Sequence, residues 1–182
     1  MTSGGKPRLS DRAIKEYVLG IDFCIDNAQR LLDDAKILER AGSIPSTIGL
    51  AVFAWEEIGK AMMLMNDLVQ ERDFVKDSWM PHGRFMDHKL KLLAPNKYRT
   101  LVGQPPDPFP HEAVEEMIKT THEGRLRSFY VDWSEQAGWF SPTNRKYVGD
   151  MTLLLGSIMP GAEGWLRVVK PFWHGKRESY MK

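Results

Sequence analysis

Cysteine is nearly absent from this chain of 182 residues: Cys24 stands alone, so no internal disulfide can form. It falls on the apolar line of a predicted helix, where a buried thiol in a reducing compartment is the expected reading. Long hydrophobic runs are absent too. No stretch of about 18 apolar residues offers a membrane helix, and no signal-peptide pattern precedes the first helix, so a cytoplasmic location is expected. Charge of one sign is not in excess. The 25 Lys and Arg residues against 24 Asp and Glu leave a net +1, which gives no global field for DNA or a membrane surface but leaves room for a local basic site. Also missing are a Gly-rich phosphate loop, a nucleophile elbow and an HExxH pair. No Glu stands three residues before His82, His88, His111, His122 or His174, so the di-metal bundle motif is absent. Neither a metal nor a cofactor is expected, although a single ion on Glu57, His88 and Asp132 is one arrangement the residue types leave open.

What the chain does have is helical periodicity. Residues 1–9 form an expected flexible tail, and 10–182 a single helical domain. Ser10 is placed to cap a first helix whose apolar positions are Ile14, Tyr17, Ile21, Cys24, Ala28, Leu31, Ala35 and Leu38. Their alternating steps of three and four predict a bundle seam. Gly42 ends that helix, and Pro45 suits the first turn of the next. So short a connection predicts antiparallel neighbours. A short helix is predicted within 82–95, ending before Pro95, with Phe85, His88 and Leu92 on one face. Gly103, Pro105, Pro106, Pro108 and Pro110 mark a surface loop. A helix after Pro110 is predicted to stop at Gly124. For 124–133 the Phe129-Tyr130-Val131 core favours a strand, with continued helix as the alternative. Residues 136–142 read as a turn. A last helix from Thr143 would bury Tyr147, Met151, Leu154, Ile158, Gly161, Trp165 and Val168, with a kink at Pro160. The fold class is all-α: an antiparallel bundle of four to five helices carrying a Pro-rich loop insertion.

The second helix, read over 47–70, holds the most telling chemistry. At about 100° per residue, Leu50, Ala54, Ala61, Leu64 and Leu68 lie within roughly 60° of Glu57, which puts a carboxylate in the middle of an apolar stripe. Such a group needs partners. Lys60 lies one turn on, and further candidates come from Arg84, His88 and Lys91, from Arg125 and Arg127, and from Tyr130 and Asp132. Each has a plainer reading: a surface ion pair for Glu57 and Lys60, a solvated face for the lysines, mutual neutralisation for Arg127 and Asp132, a core phenol for Tyr130. Together they fit metal-independent attack on RNA, which needs a base for the 2′-hydroxyl, an acid for the leaving oxygen, and cations for the phosphate charge.

At AVFAWEEIGKA (51–61), DHKLKL (87–92) and RSFYVDW (127–133), in that order, the sequence resembles the AbiV family of abortive-infection proteins, a branch of the HEPN helical superfamily. The resemblance covers roughly 15–133. It implies a HEPN-like bundle, commonly a homodimer, acting as a cytosolic phage-defence toxin. Many HEPN toxins are ribonucleases whose site pairs an Arg with a following His and is completed across the dimer. Here Arg84 and His88 enclose three residues, a shorter gap than that motif has, and the next histidine after Arg127 is His174. Two functional readings follow. In one, His88, Arg127, Lys91 and Glu57 are catalytic, and Lys60, Arg84, Arg125, Tyr130 and Asp132 bind substrate. In the other, the chain is a non-catalytic effector whose Glu57, Lys60, His88, Arg127 and Asp132 form a structural polar network. It would then bind a phage protein or the translation machinery, with neither DNA nor membrane as partner.

Overall fold

The computed structural model describes residues 9–70, 85–106, 108, 110–129, 132–134, 138–142 and 145–182, with the backbone alone for 111, 127, 132–134, 138–140 and 145–150. Helix α1 spans Asp11–Arg40, α2 Ile44–Val69, α3 His88–Lys97, α4 His111–Phe129 and α5 Arg145–Tyr180. Ser10 Oγ accepts from the Ala13 amide and caps α1. Gly42, at φ 73°, makes the left-handed turn that returns the chain into α2. Two three-residue strands, β1 (Asp132–Ser134) and β2 (Gly138–Phe140), pair antiparallel with Trp133 opposite Trp139. Among the described residues, the protein is a helical bundle of the all-α class with one small hairpin.

Helix α2 is the axis. Its sequence is apolar on almost every side, which is the pattern of a helix surrounded by others, and it packs against α1, α3, α4 and α5. The seam predicted on α1 is buried at Tyr17, Ile21, Ala28, Leu31 and Ala35, against Ala51, Ala54, Ile58, Ala61 and Leu68 of the shared core. Trp173 fixes α5 to α1: its ring is buried and its Nε1–H donates to Asp22 Oδ1 at 2.7 Å, while Arg177 reaches Oδ2 of the same carboxylate at 2.9 Å.

Several boundaries differ from the sequence reading. Helix α3 begins at His88 because Asp87 caps it, accepting from the Lys89 and Leu90 amides. It then runs through Pro95 to Lys97. Helix α4 passes Gly124 without interruption; Gly124 lies inside the bundle against the Leu154 side chain, which would have to shift to admit a larger residue. Of the stretch 124–133, the residues up to Phe129 continue the helix, the alternative reading, and β1 begins at Asp132, with Tyr130 and Val131 outside the described residues. Strand β2 occupies part of the expected turn. Helix α5 is described from Arg145, the expected start Thr143 lying outside the described residues, and contains Pro160 and Pro171. It buries Met151 and Ile158 as expected, but Leu155, Ala162, Leu166 and Val169 in place of Leu154, Gly161, Trp165 and Val168. Trp165, expected in the core, is half-buried, with the Arg99 guanidinium over its ring at 5.8 Å.

Candidate functional site

The buried carboxylate exists, but it is Glu56 and not Glu57. Glu56 Oε2 lies 2.8 Å from His88 Nδ1 and 2.8 Å from Lys91 Nζ, and Oε1 lies 3.8 Å from Arg125 Nε. The Glu56 side chain is 4% exposed and Lys91 6%, whereas His88 is 34% exposed. A buried ion pair thus sits behind a half-open imidazole.

Three helices assemble this cluster. Glu56 comes from the centre of α2. His88 and Lys91, three apart, share one face of α3, as residues at that spacing must. Arg125 comes from α4, with its guanidinium over the Phe53 ring at 5.7 Å, and Phe53 stacks on Phe129 with centroids 5.5 Å apart. What lets α3 come close enough is Gly59, three residues after Glu56. A Cβ on Gly59 would stand 1.9 Å from the Lys91 carbonyl oxygen. That oxygen is the one to which Pro95, lacking an N–H, cannot donate.

His88 Nδ1 has two neighbours that make opposite demands on it. Nδ1 faces both Glu56 Oε2 and, at 3.1 Å, Lys91 Nζ. The carboxylate calls for a proton on Nδ1 and the ammonium for a lone pair; in the tautomer with the proton, Nδ1–H donates to Glu56. His and Lys then share one acceptor oxygen, and Nε2 is the nitrogen that can exchange a proton with a substrate. Arg125 Nε and Glu56 Oε1 are charge-paired but too far apart for a hydrogen bond, and neither atom has a hydrogen-bond partner among the described residues.

His122 completes the group. It lies one turn before Arg125 on α4, half-buried, with its ring centroid 6.0 Å from that of His88 and tilted by 41°. Its pKa is lowered, first by loss of solvent and then by the charges of Arg125, His88 and Lys89, with Glu56 opposing. The sequence reading gave His122 no role. The signal was nonetheless there: His122 and Arg125 repeat on α4 the three-residue spacing of His88 and Lys91 on α3.

Of the expected site residues, His88, Lys91 and Arg125 converge. Glu57 does not join them. One step along α2, it faces the α1 side, where it pairs with Lys60 and contacts Cys24. Burial, with the Glu57 carboxylate second, pushes the Cys24 thiol up to about 12. Lys91 is enclosed against Glu56 rather than presented to solvent. Arg84 and Tyr130 lie outside the described residues, as do the side chains of Arg127, on α4, and Asp132, in β1. Among the described residues no group of three or more His, Cys, Asp or Glu side chains is placed to hold a metal ion, and no helix is long and apolar enough to cross a membrane.

A helical bundle whose central helix holds a buried, cation-ringed carboxylate under an accessible imidazole is the class of protein defined so far. The comparison with family models makes it particular. The HEPN-type family described as AbiV matches residues 16–155, and the chain belongs to that family. No curated protein and no solved structure matches it.

Proposed function

We propose that this AbiV-family chain is an abortive-infection effector that cleaves RNA without a metal, using the cluster around Glu56. One observation carries the reading: a half-exposed histidine has its Nδ1 2.8 Å from an almost fully buried carboxylate. A carboxylate in that position sets the tautomer and orientation of an imidazole for proton transfer at Nε2. Arg125 supplies a guanidinium at the edge of the same cluster for phosphate charge. Lys91 holds Glu56 in place and is a positioning residue. As in the family resemblance, the working form proposed is a cytoplasmic homodimer. Expression in a bacterial host, with and without phage, tests this. Wild type is expected to arrest growth with fragmented RNA, and His88→Ala to do neither while still folding. Intact RNA alongside growth arrest by wild type rules the ribonuclease out.

A second reading is favoured by the near-complete burial of Glu56 and Lys91 and the tight Gly59 contact. On it the cluster is structural, fixing α3 and α4 on α2, and the chain acts by binding a phage protein or the translation machinery. His88→Ala then keeps its toxicity.

A further inference from the structure

Resting on the ribonuclease reading, we infer that His122 is the second imidazole of the reaction, so that acid and base both come from a single chain. The two rings belong to neighbouring helices, α3 and α4, and their centroids are 6.0 Å apart. Each working nitrogen must come within about 2.6–3.2 Å of its oxygen. Two rings at this separation can meet the attacking and the departing oxygen of one phosphodiester. The tilt of 41° keeps them from stacking on each other.

The surroundings divide the work between them. Among the described residues, the charged and titratable groups acting on His122 are Glu56 from α2, His88 and Lys89 from α3, and Arg125 from its own helix. Loss of solvent acts first, cations outnumber the carboxylate among these groups, and that carboxylate is engaged by Lys91 and His88. His122 is therefore held neutral as pH falls further than an ordinary histidine is, which makes it the base. His88, anchored through Nδ1–H to Glu56, presents Nε2–H as the acid. The step is balanced as follows. His122 takes the proton of the 2′-hydroxyl, and the oxygen's electron pair forms the bond to phosphorus. The bond from phosphorus to the 5′-oxygen breaks, and His88 Nε2 delivers a proton to that oxygen. The products are a 2′,3′-cyclic phosphate and a 5′-hydroxyl, and proton exchange with solvent resets the two rings. Arg125 meets the charge on the non-bridging oxygens. No second copy of the chain has to lend an imidazole.

The test uses full-length protein and a short RNA with a single ribonucleotide, read as kcat/KM against pH. Wild type should give a bell-shaped profile. His122→Asn should lose about 100-fold or more and the limb that rises with pH. His88→Asn should lose a comparable factor, yet be restored on a substrate whose 5′-oxygen is replaced by sulfur, because a thiolate departs without a proton. His122→Asn should not be restored by that substrate. His122→Gln repeats the measurement should the Asn variant fold poorly, as judged by circular dichroism. Mixing His88→Asn with His122→Asn protein should leave both inactive, since each chain lacks half of its own site. His122→Asn and His122→Gln cleaving within threefold of wild type overturns the inference and leaves the ribonuclease reading intact. Sulfur rescue of His122→Asn overturns the assignment of roles, and recovered cleavage on mixing overturns the single-chain site. An RNA left whole by wild type overturns the ribonuclease reading and this inference with it.

Discussion

Replacing Glu56 by Gln preserves the side chain's size and removes one charge. Its Oε2 is the acceptor shared, at 2.8 Å each, by His88 and Lys91. Lys91, 6% exposed, would be left with an ammonium in the interior and, among the described residues, no counter-charge in contact. Removing one member of a buried pair costs about 3–5 kcal/mol, a large part of the roughly 5–15 kcal/mol that holds a domain folded. In a chain of this size each kcal/mol moves the midpoint of unfolding by about 2–4 °C, so a fall of roughly 6–20 °C is expected. Glu57→Gln is the matched control one residue away. Glu57 is half-buried and pairs with Lys60 three residues on, an arrangement worth less than about 1 kcal/mol, and its midpoint should move by under about 4 °C. Thermal unfolding followed by circular dichroism at neutral pH measures both. Equal shifts for the two variants, or a larger one for Glu57→Gln, would refute the placement of the buried charge.

Further outcomes follow from neighbouring contacts. Gly59→Ala puts a methyl group into the Lys91 backbone. It should destabilise by about 1–3 kcal/mol or more and suppress toxicity by pushing α3 away, which unfolding curves and growth assays record together. Cys24, with its thiol pushed up to about 12, should react with a disulfide reagent at pH 8 far more slowly than free cysteine. Glu57→Gln should speed that reaction; a rate like that of free cysteine in wild type contradicts the burial. His122 has a folded pKa below its unfolded value of 6.5. The unfolded chain therefore binds the proton more readily, and stability is lost as pH falls from about 6.5 through the lowered value. In His122→Asn this part of the acid sensitivity should disappear, read as the difference between unfolding midpoints of variant and wild type from pH 7.5 to 5.

The helices were legible where one face alone is buried. On α1 the three-four spacing picks out Tyr17, Ile21, Ala28, Leu31 and Ala35, all of them buried. On α5 two adjacent lines are apolar, and spacing could not tell Leu154 and Trp165 from Leu155 and Leu166. The same ambiguity decided the site. A single-stripe reading of α2 selects Glu57, yet α2 is surrounded, and the line through Leu50, Phe53, Glu57 and Lys60 is its least covered one. Gly59 was the clue to the right face: a glycine three residues after Glu56, where another backbone comes in. Asp87, which opens the DHKLKL motif, serves as a helix cap. His122 was missed because nothing local couples it to His88; only the packing of α4 beside α3 brings the rings together.

The account depends on the Glu56 cluster performing proton transfer on RNA and not merely filling the bundle. Purified protein incubated with labelled RNA in a chelator, with product ends identified, addresses that most directly. Wild type should release fragments ending in 2′,3′-cyclic phosphate. His88→Ala, melting within a few degrees of wild type, should release none. RNA untouched by wild type, or equal cleavage by both proteins, would contradict it.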